Sequence, residues 1–126
     1  MYTSRQIKLG NRRLLKLADY LETVPRGQYN QRMLSGNPQK GRVQCAYGHF
    51  QTTAAGRKLA EDSGCGEDYF ALRKADDLSG PLDEWDIIFG MEGCRDKNGR
   101  VAKTGKQAAK AVRVFVKGRE KELAHV

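Results

Sequence analysis

Leu14, Leu17, Ala18 and Leu21 recur at the three- and four-residue spacing that lines up side chains on one face of an α-helix. Arg12, Arg13, Lys16 and Asp19 fall on other faces, and Leu15 is expected to widen the apolar stripe. Asn11 reads as the N-cap, since its side chain can accept a free backbone N–H at a helix start. Pro25 and Gly27 stop the element, because proline disfavours helical geometry at Val24 and has no N–H to donate. A second stripe lies near the other end of the chain. Thr104 opens a capping-box pattern with Gln107, and Ala108, Ala111, Val112, Phe115 and Val116 follow at helical spacing. Lys106, Lys110, Arg113 and Lys117 take its polar side, and Gly118 is expected to end it.

Between the two lies less regular sequence. Residues 26–42 read as a long loop punctuated by Gly27, Gly36, Asn37, Pro38 and Gly41, with Tyr29, Met33 and Leu34 as its anchors. Val43, Ala46, Tyr47 and Phe50 mark a short helix. Gly48 within it costs about 1 kcal/mol relative to alanine, which points to close approach by a backbone or a large ring. Thr53 can cap a helix over 54–62 with Ala55, Leu59 and Ala60 inward, and Gly64 to Gly66 ends it. Tyr69 to Leu72 is a brief apolar run that suits a strand or a helical turn equally. Ser79-Gly80-Pro81 leads into a helix over 82–89 with Leu82, Trp85, Ile88 and Phe89 inward, and Asp96 to Arg100 is a polar turn.

These readings give a mainly α fold: one small domain over 1–126, about five helices with long loops, and room for a short strand pair. Residues 1–10 and 119–126 are expected to be loose ends. The expected core is Leu14, Leu17, Leu21, Phe50, Leu59, Trp85, Ile88, Phe89, Val112 and Phe115. At 126 residues the chain can bury a core without staples. No apolar run approaches the roughly 20 residues of a membrane helix, and the start lacks the apolar core of a secretory signal. A cytoplasmic protein without a membrane partner follows. The odd number of cysteines, Cys45, Cys65 and Cys94, fits reduced thiols better than a disulfide framework.

Charge is unevenly placed along the chain. Residues 1–60 carry eleven Lys/Arg against two carboxylates, residues 61–96 three against eleven, and residues 97–126 nine against two. The overall net charge is +8. Either the acidic middle neutralises a basic end within the fold, or the basic ends attract polyanions. Arg12, Arg13 and Lys16 on the first helix, and Lys103, Lys106, Lys110, Arg113 and Lys117 near the end, could contact phosphates. Arg26, Arg32, Lys40 and Arg42 on the loop have no acidic neighbour in sequence, which makes the loop the leading binding surface. Tyr29 and Tyr47 are candidate stacking partners for bases. No helix-turn-helix, zinc-finger, RNP-like or KH-like pattern accompanies them.

Reaction chemistry is thinly represented. Cys45 and His49, four residues apart, share a helical face and with Cys65 and Cys94 could form a three-cysteine, one-histidine zinc set. The close ligand pairs of a structural zinc site are missing, so core cysteines and a boundary histidine are the default, and neither metal nor cofactor is expected. A Cys45–His49 nucleophile would need an orienting third group and an electropositive pocket, and the sequence identifies neither. Asp83, Glu84 and Asp86 suit the start of a helix better than an acid–base site. The glycines around Cys65 lack the spacing and the lysine of a P-loop. No catalytic residue emerges.

The order of these segments resembles a family of small, uncharacterised proteins of bacteria and their phages. The resemblance rests on Arg13-Leu14-Leu15-Lys16-Leu17-Ala18-Asp19-Tyr20-Leu21, on Cys45-Ala46-Tyr47-Gly48-His49-Phe50, on Trp85 to Phe89 followed by Gly90, and on Thr104 opening the last helix. It covers about residues 11–117. Members tend to carry an aromatic residue, often tryptophan, where His49 stands, which implies a packing position rather than a metal ligand. The resemblance implies a helix-dominated fold and an association with mobile elements; it brings no activity and no catalytic residue. Together with the charge, it leads to the expectation of a non-enzymatic, phage- or prophage-associated binding protein in the host cytoplasm. Such a protein would act on an acidic protein surface or a nucleic-acid-containing complex, for example as a counter-defence inhibitor. The first alternative is a direct DNA- or RNA-binding accessory protein, and the second a small metal or thiol enzyme using Cys45 and His49.

Overall fold

The computed structural model describes residues 4–33, 39–54, 57, 88 and 93–124, and these are mainly helical. Three helices are found among them: α1, Ser4–Thr23; α2, Ala46–Gln51; and α3, Gly105–Ala124. The helices expected over 54–62 and 82–89 lie almost wholly outside the described residues, as do Leu34, Tyr69 to Leu72, Trp85 and Phe89. Strand content among the described residues is limited to two isolated bridges, Tyr29 with Gln44 and Arg95 with Val101.

α1 begins well ahead of Asn11, which is therefore not an N-cap. Asn11 is buried in mid-helix, where its Oδ1 accepts from Arg119 Nε at 2.8 Å and also from Arg119 Nη2. A mid-helix asparagine usually competes with its own backbone; here a guanidinium takes the acceptor instead. Arg119 also lies over the Phe115 ring, 4.7 Å from its centroid. Gly118 does not end α3 either, and residues 4–10 and 119–124, expected to be loose, are helical. Arg119 explains the extension, since its bond to Asn11 and its contact with Phe115 tie the last turns of α3 to α1.

Three contacts fix the two long helices as an antiparallel pair. Asn11 meets Arg119, Asp19 and Glu22 meet Arg113, and Leu21 abuts Gly105. Leu14, Leu17, Ala18 and Leu21 of α1 are buried with Ala108, Ala109, Val112 and Val116 of α3, with Phe115 and Ala111 at the margin. Each large aliphatic side chain so buried contributes about 1.5–3 kcal/mol. Leu15 is 36% exposed and lies outside the stripe it was expected to widen, because it sits a third of a turn from the buried line. At Gly105 a Cβ would stand 2.2 Å from the Leu21 carbonyl oxygen and 3.0 Å from Val24 Cβ. Glycine there lets the first turn of α3 press against the backbone at the end of α1.

The cap of α3 follows the sequence pattern with one shift. Gln107 N–H donates to Thr104 Oγ1 at 3.2 Å, while Gln107 Oε1 accepts the N–H of Lys103, one residue before the cap. The Asp96 to Arg100 turn closes through Asp96 Oδ1, which accepts from the backbone N–H of Asn98 and Arg100.

Candidate functional site

The loop after α1 is pinned from beneath. Asn30 N–H donates to the Gln44 carbonyl, Gln44 N–H to that of Gln28, and Cys45 N–H to that of Met33, so the segment folds back on itself just ahead of α2. Gln44 Nε2 donates to the Gln39 carbonyl at 2.8 Å, and Gln31 Nε2 to the Ile88 carbonyl at 2.8 Å. Val43 is exposed and takes no part in α2, which starts at Ala46. What crowds Gly48 is the side chain of Gln44, 2.9 Å from where a Cβ would be, and neither a backbone nor a ring.

His49 is the hub of this arrangement. It is buried on α2, with Nε2 2.7 Å from the Gln28 carbonyl and Nδ1 3.4 Å from Gln44 Nε2. The geometry assigns the proton to Nε2, leaving Nδ1 as acceptor. The ring lies parallel to that of Tyr29 at 6.1 Å and tilted to that of Tyr20 at 6.0 Å. Burial holds the imidazole below its ordinary pKa, so it is neutral, although its bond to Gln28 opposes the shift. Burial also raises the Cys45 thiol and pushes the Cys94 thiol up to about 12. Cys94 Sγ faces the Ile88 carbonyl at 3.4 Å. A protonated thiol is a poor nucleophile, and both nitrogens of His49 already face protein groups. Among the described residues no group of three or more His, Cys, Asp or Glu side chains gathers as a metal would need. Cys65 lies outside the described residues, as do Asp83, Glu84 and Asp86.

Two stacking candidates change role. Tyr29 is 5% exposed and Tyr47 fully buried, so neither presents a ring face to a base. Tyr29 donates its hydroxyl proton to Gln31 Oε1, and burial raises its pKa. Both belong to the buried core, Tyr29 from the loop and Tyr47 from α2. Arg113 also departs from its expected part as a phosphate contact. It donates to Glu22 Oε1 and, at 3.0 Å, to Asp19 Oδ1, which raises its pKa and pairs its charge within the fold. Those carboxylates come from the first basic block of the sequence, not from the acidic middle. The ion pair is exposed and contributes about 1 kcal/mol or less.

The other expected basic residues reach solvent. Arg12 and Lys16 on α1, Lys106, Lys110 and Lys117 on α3, and Arg26, Arg32, Lys40 and Arg42 on the loop are exposed, while Arg13 is half-buried. Arg13, Arg32 and Arg42 make further interactions within the protein. Sequence reasoning missed Arg5 and Lys8, both exposed on the first turns of α1. Their signal was present: Arg5, Lys8, Arg12 and Lys16 are spaced by three, four and four residues, the repeat of one helical face. At the N-terminal end of α1 a groove runs beside α3, lined by Arg5, Lys8, Asn11, Arg12, Leu15 and Glu120. Among the described residues no helix is long and apolar enough to cross a membrane. No family model, curated protein or solved structure matches the chain.

Proposed function

We propose that this is a non-enzymatic binding protein that acts through its basic surface on an acidic or phosphate-bearing face of a nucleic-acid machine. The supporting observation is a division of roles within the fold. Among the described residues, the cysteines and the histidine, Cys45, Cys94 and His49, are buried and held in neutral forms. Arg5, Lys8, Arg12 and Lys16 of α1 and Lys106, Lys110 and Lys117 of α3 stand in solvent. Such a surface raises the local concentration of polyanions and accelerates their capture. The resemblance to small phage and bacterial proteins supports a phage- or prophage-associated role in the host cytoplasm, with inhibition of a host defence complex as one concrete form.

The test is retention of the purified protein on immobilised heparin, duplex DNA and poly-glutamate. Retention on at least one at about 50 mM salt, falling by 200 mM, is expected, because neutralised phosphates release counterions. Failure to bind any of the three at the lower salt would refute the reading.

A further inference from the structure

The groove at the N-terminal end of α1 differs from the rest of the basic surface. Arg5, Lys8 and Arg12 are exposed along its α1 lip, and Glu120 of α3 lines it too. Asn11, also in its lining, is engaged by Arg119, which ties the two helices together there. At 100° per residue, Lys8 and Arg12 lie within about 20° of Asp19. They therefore border the same side of the helix pair as the Arg113 ion pair, which occupies the other end. Among the described residues, none of Arg5, Lys8 and Arg12 has an ion-pair partner. The loop is different, since Arg32 and Arg42 already interact within the protein.

We infer that this groove is a binding site for a phosphodiester backbone. The inference rests on the polyanion reading above and names its ligand. Three cations within eight residues span about 10 Å of helix axis, room for two or three successive phosphates of one strand. A protein partner would ask for something else. Stable protein interfaces centre on buried aromatic or aliphatic anchors, and among the described residues the groove offers only Leu15. A small anion is equally ill served, because the lining is long flexible side chains rather than donors converging from a rigid shell. Glu120 repels a strand lying in the groove and so sets an upper bound on affinity.

The experiment compares four proteins binding a short fluorescent duplex between about 50 and 200 mM salt. They are the natural chain, Lys8→Gln with Arg12→Gln, Arg26→Gln with Lys40→Gln, and Glu120→Gln. The groove and loop pairs remove the same charge from exposed positions, so melting temperatures should stay within about 2 °C of the natural chain. The groove pair should lose at least about tenfold in affinity, with its logarithmic salt slope shallower by about two. The loop pair should stay within about threefold, and Glu120→Gln should bind about two- to fivefold tighter. Equal losses in the two pairs would overturn the groove as the site while leaving the polyanion reading standing. Binding to poly-glutamate but not to the duplex would overturn the ligand class alone. A natural chain that binds no polyanion would remove the underlying reading, and this inference with it.

Discussion

Two glycines in one helix should respond to the same substitution with opposite signs. At Gly105 an alanine methyl would lie 2.2 Å from the Leu21 carbonyl oxygen, inside any tolerable carbon–oxygen contact. The obstructing atom is backbone at the end of α1, so relief requires the two long helices to separate where Val24 also presses. Overpacking of this kind costs about 1–3 kcal/mol. At Gly118 nothing lies within 4 Å of the corresponding position, and the residue is exposed in the interior of α3. Alanine there removes the helical penalty of glycine, a gain of about 0.5–1 kcal/mol. Across 126 residues, unfolding entropy of about 2.1 cal/mol/K per residue makes each kcal/mol worth about 4 °C. Gly105→Ala should therefore lower Tm by about 4–12 °C, and Gly118→Ala should raise it by about 2–4 °C. Thermal unfolding followed by circular dichroism at 222 nm reads both. A Gly105→Ala protein as stable as the natural chain would show that α1 and α3 do not meet backbone to backbone, and the antiparallel packing would be wrong there.

His49 carries a pH dependence with a definite sign. Its folded pKa lies below the unfolded value of about 6.5, so its contribution is complete above that pH and is lost as pH falls through the folded pKa. Tm should decline from pH 7.5 to 5.5, and His49→Gln, though less stable throughout, should lose most of that slope; an unchanged slope would contradict the burial. The thiols give a second check: in a Cys65→Ser background, Cys45 and Cys94 should resist a water-soluble disulfide reagent until denaturant is added. Rapid modification of either in the native protein would show that the region around His49 is open.

The two long helices were legible because their stripes are long. Four buried positions on α1 and the Ala108, Val112, Val116 line on α3 leave little freedom to a periodicity argument. The stop before Pro25 and the start after Thr104 were legible too, but the start of α1 and the end of α3 were not. Asn11 looks like a cap locally, and only Arg119, distant in sequence, reveals it as a buried acceptor within a longer helix. That extension hid Arg5 and Lys8, since residues read as a loose end do not invite a search for helical spacing. The loop was recognised, but its interior was not. Tyr29 and Tyr47 looked available to stack on bases because nothing local shows that both are buried, Tyr29 against the ring of His49. The commitment of Arg113 to Asp19 and Glu22 is likewise a contact between sequence ends that no window reads. The excess of positive charge was legible in the composition; the placement of the charges depended on the antiparallel pairing.

Lysine footprinting tests the basic face of the helix pair most directly. Acetylation rates of individual lysines would be followed by mass spectrometry with and without saturating duplex DNA. Lys8, in the groove, should be protected severalfold, while Lys40 on the loop and Lys97 in the Asp96 turn, both exposed, should react at unchanged rates. Protection of Lys40 with Lys8 left reactive would contradict the account and move the contact from the helix pair to the loop.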